Sequence, residues 1–459
     1  MLRQIPSVEE VLNRPPIKDL SETAGRKFVT EQVRKVLADL RRQIQAGQSI
    51  RALEEQLEAS IGKAVRKELA YSLRPVINAT GVILHTNLGR APLAREAMEN
   101  AFAVASQYSN LEYDLAAGRR GERDVHISRQ LQDLLGYPGI AVNNNAAAVW
   151  ITLNTLAEGA EVIVSRGELI EIGGSFRIPD IMQKSGAVLR EVGTTNRTRI
   201  GDYRNAINEK TKLLLRVHPS NFRIVGFTER PSLQEMVELG GKAGIPVYED
   251  LGSGCLVSTT GRGILDESPV SESLAAGVDV VSFSGDKMLG GPQAGLIAGK
   301  KDLVAQIRRN PLFRVLRVDK LTYAVLETTL QAYRQDQLHR IPAWRMILMT
   351  VSEIEERAKR LIEACACCHG GPLRMEMVDG ESVIGGGSAP GQAIPTRLLA
   401  LHHADAGADV LERRLLDHHP PVVARVESDA VLLDLRTVLP EQEETLARAI
   451  LSLEQSGRE

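Results

Sequence analysis

Apolar and polar positions along the chain fall into three textures. From the N-terminus to about residue 73, apolar residues recur at helical spacing. Ser7 is placed to cap a short helix that opens Val8-Glu9-Glu10. Lys27 to Gln45 sets Val29, Val33, Val36, Leu37 and Leu40 on one face, with Arg34, Lys35, Arg41 and Arg42 elsewhere. Gly47 separates this helix from another expected over Ser49 to Leu73. After Arg74-Pro75, short apolar runs alternate with helical lengths of chain. The runs are Val76-Ile77, Ile140 to Val142, Val162 to Val164, Val188 to Val192, Leu213 to Val217, Pro246 to Tyr248, Val278 to Phe283 and Gly295 to Ala298. Such alternation predicts a mostly parallel sheet flanked by helices, the α/β class. From about Thr322 a long helix is expected through Leu361. Strand-like runs follow at Val422-Val423-Ala424 and Ala430 to Leu435, then a helix after Pro440. The expected organisation is a helical module over 1–73, a large α/β domain over 74–320 and a small α/β domain over 321–459.

Composition narrows this without changing it. At 459 residues the chain has room for two or three cores. Charged residues make up 25% and the formal net charge is −2, so any surface for nucleic acid must be local. Basic residues slightly outnumber acidic ones in the N-terminal module, which makes it mildly positive. No run approaches the ~20 apolar residues of a membrane helix, and the first residues carry no apolar signal region. A cytoplasmic protein is expected. The four cysteines, Cys255, Cys365, Cys367 and Cys368, are too few and too clustered for a disulfide framework, which fits a reducing compartment. The run Cys365 to His369 lacks a second ligand pair at metal-finger spacing and continues a helical pattern, so it reads as a helix end and no metal is expected.

Candidate chemistry concentrates at three strand ends. Val281 to Gly295 is a strand ending in Ser284-Gly-Asp-Lys287, a glycine-rich loop and another strand. A lysine amine attacks an aldehyde once deprotonated, and burial or a cationic neighbour favours that state. Alone, such a lysine is most often a loop residue. One strand-helix-strand unit upstream, Pro246 to Asp250 ends in a carboxylate, and in an open parallel sheet strand C-termini line the ligand crevice. Asp250 can thus keep a pyridinium nitrogen protonated opposite Lys287. Further upstream, a strand ends at Val142 and a helix starts after Asn143-Asn-Asn-Ala146. Free N–H groups there, with Asn144, Asn145 and Ala146, make an anion site, and Ser284 can reach the same phosphate. Neither a Walker lysine motif nor a dinucleotide glycine fingerprint follows a strand. Phosphate cradle, carboxylate and lysine in that chain order point to pyridoxal 5'-phosphate.

These residues resemble fold-type I, aminotransferase-like pyridoxal-phosphate enzymes. More narrowly, the chain resembles bacterial selenocysteine synthases, the L-seryl-tRNA(Sec) selenium transferases. The similar stretches are Arg74 to Pro92, Tyr113 to Glu122, Asn143 to Ala146, Gly167 to Arg177, Glu191 to Arg197, His218 to Phe222, Glu249 to Gly254 and Ser284 to Gly295. Weaker similarity continues through Gly385 to Pro390. The resemblance implies that L-seryl-tRNA(Sec) becomes L-selenocysteinyl-tRNA(Sec) through a cofactor-bound aminoacrylyl intermediate, with Lys287 holding the cofactor. It implies that Arg90, Arg314 and Arg317 hold selenophosphate, as forked guanidinium groups suit an oxyanion. It also implies a tRNA-binding role for the N-terminal module and a large ring-like homo-oligomer. His218 and Asn221 are candidates to contact the cofactor's phenolic oxygen. Two rivals remain: a related pyridoxal-phosphate lyase acting on a small amino compound, and a non-catalytic tRNA-binding scaffold. The extra module argues against the first, and the lysine, carboxylate and serine against the second.

Overall fold

The computed structural model describes residues 5–46, 49, 54–172, 176–219, 222, 224–259, 267–365 and 371–454. The chain divides into two compact units, Met1–Pro75 and Val76–Glu459. In the first, α1 (Val8–Leu12), α2 (Pro15–Ala24), α3 (Arg26–Gln45) and α4 (Leu57–Leu69) enclose Val11, Ile17, Val29, Val33, Leu37, Ile61 and Val65. Ser7 caps α1 as its sequence predicts, in a reciprocal pair with Glu10. The sequence pattern missed α2, which opens on Pro15-Pro16. A proline at the first helical turn loses no hydrogen bond, so the pair starts the helix. The helix expected over Ser49 to Leu73 is shorter. It ends at Leu69, where Ala70 turns extended, and residues 50–53 lie outside the described ones.

The second unit is organised by seven strands, β1 (Gly139–Val142), β2 (Glu161–Ser165), β3 (Val188–Val192), β4 (Thr211–Val217), β5 (Val247–Gly252), β6 (Val280–Ser284) and β7 (Gly295–Gly299). They lie in the order β1-β7-β6-β5-β4-β2-β3. All neighbours pair in parallel except β7, which runs against both β6 and β1. Both faces are covered, so the strands read as unbroken apolar runs. Val162, Val164, Leu213 and Leu215 face one core, shared with Val149 and Leu153 of α5 (Asn145–Ala157). Ile163, Leu214 and Val247 face the opposite one, under Met236 and Leu239 of α6 (Leu233–Ala243).

The C-terminal part departs most from its expected elements. The single helix over Thr322 to Leu361 is broken into α7 (Lys320–Arg334), a turn at Leu338–Arg340, α8 (Pro342–Leu348) and α9 (Val351–Ala364). Asp336 takes the left-handed conformation at φ 53°, Pro342 cannot continue a preceding helix, and Thr350 caps a new one. Two eleven-residue strands, β8 (Leu373–Val383) and β9 (Ala393–His403), went unread. They pair antiparallel and lead to β11 (Ala430–Asp434) and β10 (Arg425–Glu427) in a four-stranded sheet. The segment Ile77–Asn78 pairs in parallel with Val422–Val423, and Ile77 and Ala79 are buried in this lobe's core. The last helix, Glu443–Glu454, follows Pro440 as its sequence predicts. Cys365 ends α9 and, like Cys255, is a buried thiol outside any disulfide, while Cys367 and Cys368 lie outside the described residues. Among the described residues no helix is long and apolar enough to cross a membrane.

Candidate active site

Because β1, β4, β5 and β6 point the same way, their C-terminal ends meet at one edge of the sheet. Asp250 and Lys287 meet there, at the ends of adjacent strands. Asp250 is paired with Ser282 in register and is 4% exposed. Asn145 donates its side-chain N–H to Asp250 Oδ1 at 2.7 Å, and Ser282 lies 3.5 Å from the same oxygen. Tyr248 and Ser282 hydroxyls are 2.7 Å apart beneath it. Burial pushes the Asp250 carboxyl up to about 6, with Asn145 and Lys287 pulling it back. A cationic group against Asp250 would restore its charge.

Lys287 follows β6 in a loop held by its own backbone. Gly285 donates to Ala294, Met288 to Ser253, Gly290 to Lys287 and Gly291 to Gly285, all within 2.9 Å. The Tyr333 hydroxyl reaches the Met288 and Leu289 carbonyls at 3.1 and 2.9 Å and accepts from the Trp344 indole at 2.6 Å. The lysine is 5% exposed, and burial first, then the Arg90 charge, hold its amine below its ordinary pKa. Gly252, in the left-handed conformation at φ 69°, passes close by, with Nζ 4.0 Å from where a Cβ would stand.

The anion turn caps α5. Asn144 accepts from the Ala147 N–H at 2.8 Å, so its side chain closes the helix start, while Asn145 serves Asp250. The two side chains read as a phosphate cradle therefore do other work, and the N–H groups of the first turn, Ala146 among them, are what the turn offers an anion. Gly295 of β7 packs against this turn, where a Cβ would stand 2.1 Å from the Asn144 carbonyl oxygen. Ser284, 5% exposed, closes β6 beside it.

The three arginines are distributed unequally. Arg90, in the left-handed conformation at φ 64°, donates to Asp286 at 2.8 Å, immediately before Lys287. Arg317 is bridged to Val142 at the end of β1 and pairs with Glu112 at 3.3 Å. Arg123 grips the same carboxylate and holds Glu112 below the usual range. Arg314 is exposed and has no ion pair with any described residue.

His218 leaves β4 with its N–H donated to the Asp250 carbonyl at 2.9 Å. Burial, with Arg230, Arg216 and Lys287 nearby, lowers its pKa to about 4, so the ring is neutral at neutral pH. It lines a cleft of about 370 Å³ with Arg230, Glu168, Glu267, Ala389 and Gln392. Asn221 lies outside the described residues. Sequence reasoning passed over Asp286, Glu112 and Glu267. Asp286 stood inside the lysine motif and could have been flagged by adjacency. Glu267 belongs to no motif and shows itself only by burial.

Four buried polar atoms at this edge, Asn145 Oδ1, His218 Nδ1, Ser253 Oγ and Glu267 Oε1, have no hydrogen-bond partner among the described residues. A site built to receive a polar ligand accounts for such a cluster.

Residues 76–439 match the family described as L-seryl-tRNA selenium transferase, and residues 2–41 match the one described as selenocysteine synthase N terminal. The L-seryl-tRNA(Sec) selenium transferase of Carboxydothermus hydrogenoformans is 47% identical over 447 residues, 96% of this chain and 95% of that one. Its counterpart from Aquifex aeolicus is 44% identical over 455 residues, 99% of each chain. A solved structure of D-glucosaminate-6-phosphate ammonia-lyase superposes with a TM-score of 0.59 at 20% identity, over 86% of this chain and 99% of that one. That likeness is of fold, the aminotransferase-like class. With both family matches and near-complete coverage, the chain belongs to the L-seryl-tRNA(Sec) selenium transferase family.

Proposed function

We propose that this protein converts L-seryl-tRNA(Sec) to L-selenocysteinyl-tRNA(Sec) with pyridoxal 5'-phosphate as cofactor and selenophosphate as selenium donor. Full-length identity to relatives of that name, extending through the N-terminal module, is the observation that carries the reading. That module also weighs against a lyase for small amino compounds. The residues fit the cofactor. Lys287 offers a buried amine, Asp250 a carboxylate that a ring cation would keep charged, and the α5 turn with Ser284 a place for the phosphate. Bound there, the cofactor supplies a sink for the electrons released when the seryl α-proton is removed.

The chain's own groups do the rest. Lys287, whose depressed pKa favours the free amine, takes the α-proton. Asn145 and Ser282 fix Asp250, whose charge would then face the ring nitrogen of the bound cofactor. Neutral His218 would meet the cofactor's phenolic oxygen without adding charge, with Asn221 as a second candidate for that contact. Arg90, Arg314 and Arg317 bring three guanidinium groups for an anionic donor. A homo-oligomer is part of the proposal, supported by large exposed apolar side chains such as Phe102, Leu115, Phe227 and Val315. So is a cytoplasmic location, where aminoacyl-tRNA is found. The test is direct. Purified full-length protein, given cofactor, seryl-tRNA(Sec) and selenophosphate, should yield selenocysteinyl-tRNA, and seryl-tRNA that persists unchanged refutes the reading.

A further inference from the structure

The elimination of water from a seryl group needs an acid. Hydroxide is a poor leaving group, and a positioned proton donor contributes roughly 10²–10⁴-fold to such a step. Two titratable groups line the cleft and feel the charge of Lys287, namely His218 and Glu267. They are tuned in opposite directions. His218 is held neutral by burial and by Arg230 and Arg216, so it has no imidazolium proton to give. Glu267 is 4% exposed, and burial pushes its carboxyl toward the protonated form. Hydrogen-bonding groups of Ser253 and the Ala389 backbone draw it part of the way back, and Oε1 has no further partner among the described residues. The charged group that draws it down is Lys287, whose own depressed pKa favours the neutral amine.

A buried carboxyl oxygen with no partner among the described residues, on the wall of a cleft, is placed to meet a ligand, since leaving it unmet costs about 1–3 kcal/mol. We propose that Glu267 is the general acid that protonates the departing seryl hydroxyl, an assignment that rests on the function proposed above. Lys287 takes the proton from Cα, and the electrons of that C–H bond form the Cα–Cβ double bond. The Cβ–O bond breaks with its pair on oxygen, which takes the Glu267 proton and leaves as water. One proton gained by Lys287 and one lost by Glu267 balance, and return of a proton from Lys287 to Glu267 restores both groups.

The test compares leaving groups on the full-length, cofactor-loaded protein. One tRNA carries serine and the other carries β-chloroalanine, whose chloride departs without a proton. Glu267→Gln should lose on the order of 100-fold or more in selenocysteinyl product from seryl-tRNA, and stay within a few-fold of wild type on chloroalanyl-tRNA. Equal losses on both substrates would mean that Glu267 shapes the cleft and nothing more, and no loss on seryl-tRNA would leave Lys287 to supply the proton. Either result overturns the assignment. Should the glutamine variant not fold, Glu267→Asp carries the same comparison, with a smaller loss still confined to the seryl substrate. Infrared spectra of the cofactor-free wild-type protein at neutral pH give a reading apart from turnover. A neutral-carboxyl band should be present there and absent from a variant lacking this carboxyl, and a wild type without the band refutes the proposal. If wild type itself makes no product from seryl-tRNA, the functional reading fails and the assignment falls with it, whereas a failure confined to the Glu267 variants bears on the assignment alone.

Discussion

Asp250 shows how one side chain can weaken a fold until its ligand arrives. Its carboxyl ordinarily titrates at 3.8 and is pushed to about 6 by burial. A carboxyl raised on folding favours the folded state only while protonated. Its contribution is complete below about pH 4 and is lost as the pH climbs through 6. In the cofactor-free protein, Asp250→Asn should therefore raise stability at pH 7.5, by on the order of 2–3 kcal/mol, and confer nothing at pH 4. His218, whose pKa is lowered to about 4, titrates in the same acid range but is common to both proteins and cancels in the difference. Thermal unfolding at the two pH values decides it, and an equal shift at both would rule out the carboxyl as the cause. With cofactor bound, the variant should lose its advantage, since the ring cation would no longer meet an anion. Lys287→Ala should abolish borohydride-fixed cofactor, checked by mass spectrometry, and label on another lysine would refute its role. Lys287, Asp250 and the Asn143 to Ala146 turn were legible as candidates because each stands at or just past the C-terminal end of an apolar strand. Glu267 was not, since its local sequence is unremarkable and its meaning lies in what surrounds it.

At the scale of elements, legibility followed burial. Strands covered on both faces, such as Val162 to Val164 and Leu213 to Val217, are apolar throughout and stand out. Strands β8 and β9 hide their apolar positions among Arg374, Glu376, Glu381 and Arg397, because one side of that hairpin meets water. The helix expected across 322–361 failed at Asp336 and Pro342, where backbone conformation and a missing N–H outweigh apolar spacing. The antiparallel strand β7 carries a prediction. Gly295 sits opposite Val142, and an added Cβ would stand 2.1 Å from the Asn144 carbonyl oxygen and 2.8 Å from the Asn145 nitrogen. Both are backbone atoms of the turn that opens α5, so neither can swing aside. Gly295→Ala should force strand and turn apart, at about 1–3 kcal/mol, and weaken cofactor affinity tenfold or more. Cofactor titration with a thermal melt checks this, and a variant matching wild type in both would show that the contact has slack.

The whole molecule joins two units whose surfaces suit different tasks. Every proposed cofactor group lies beyond Val76, while Met1–Pro75 encloses a core of its own. Arg34, Arg41, Lys63, Arg66 and Lys67 are exposed on α3 and α4, with no ion pair to any described residue. Lys35 and Arg42 are exposed too, but pair with Glu68 and Asp39 at 3.7 and 2.9 Å. Unpaired cations bind phosphates at the smaller desolvation cost, and each contact releases counterions, so tRNA affinity should fall steeply as salt rises. Removing residues 1–75 should leave the cofactor's visible band intact while lowering tRNA affinity and flattening the salt dependence. Reversing Arg34, Arg41, Lys63 and Lys67 to glutamate in the full chain separates charge from bulk, because those side chains lie outside the α1–α4 core. Filter binding across a salt series reads both. A charge-reversed protein that kept wild-type affinity and slope would show that tRNA is held elsewhere, with the module serving assembly.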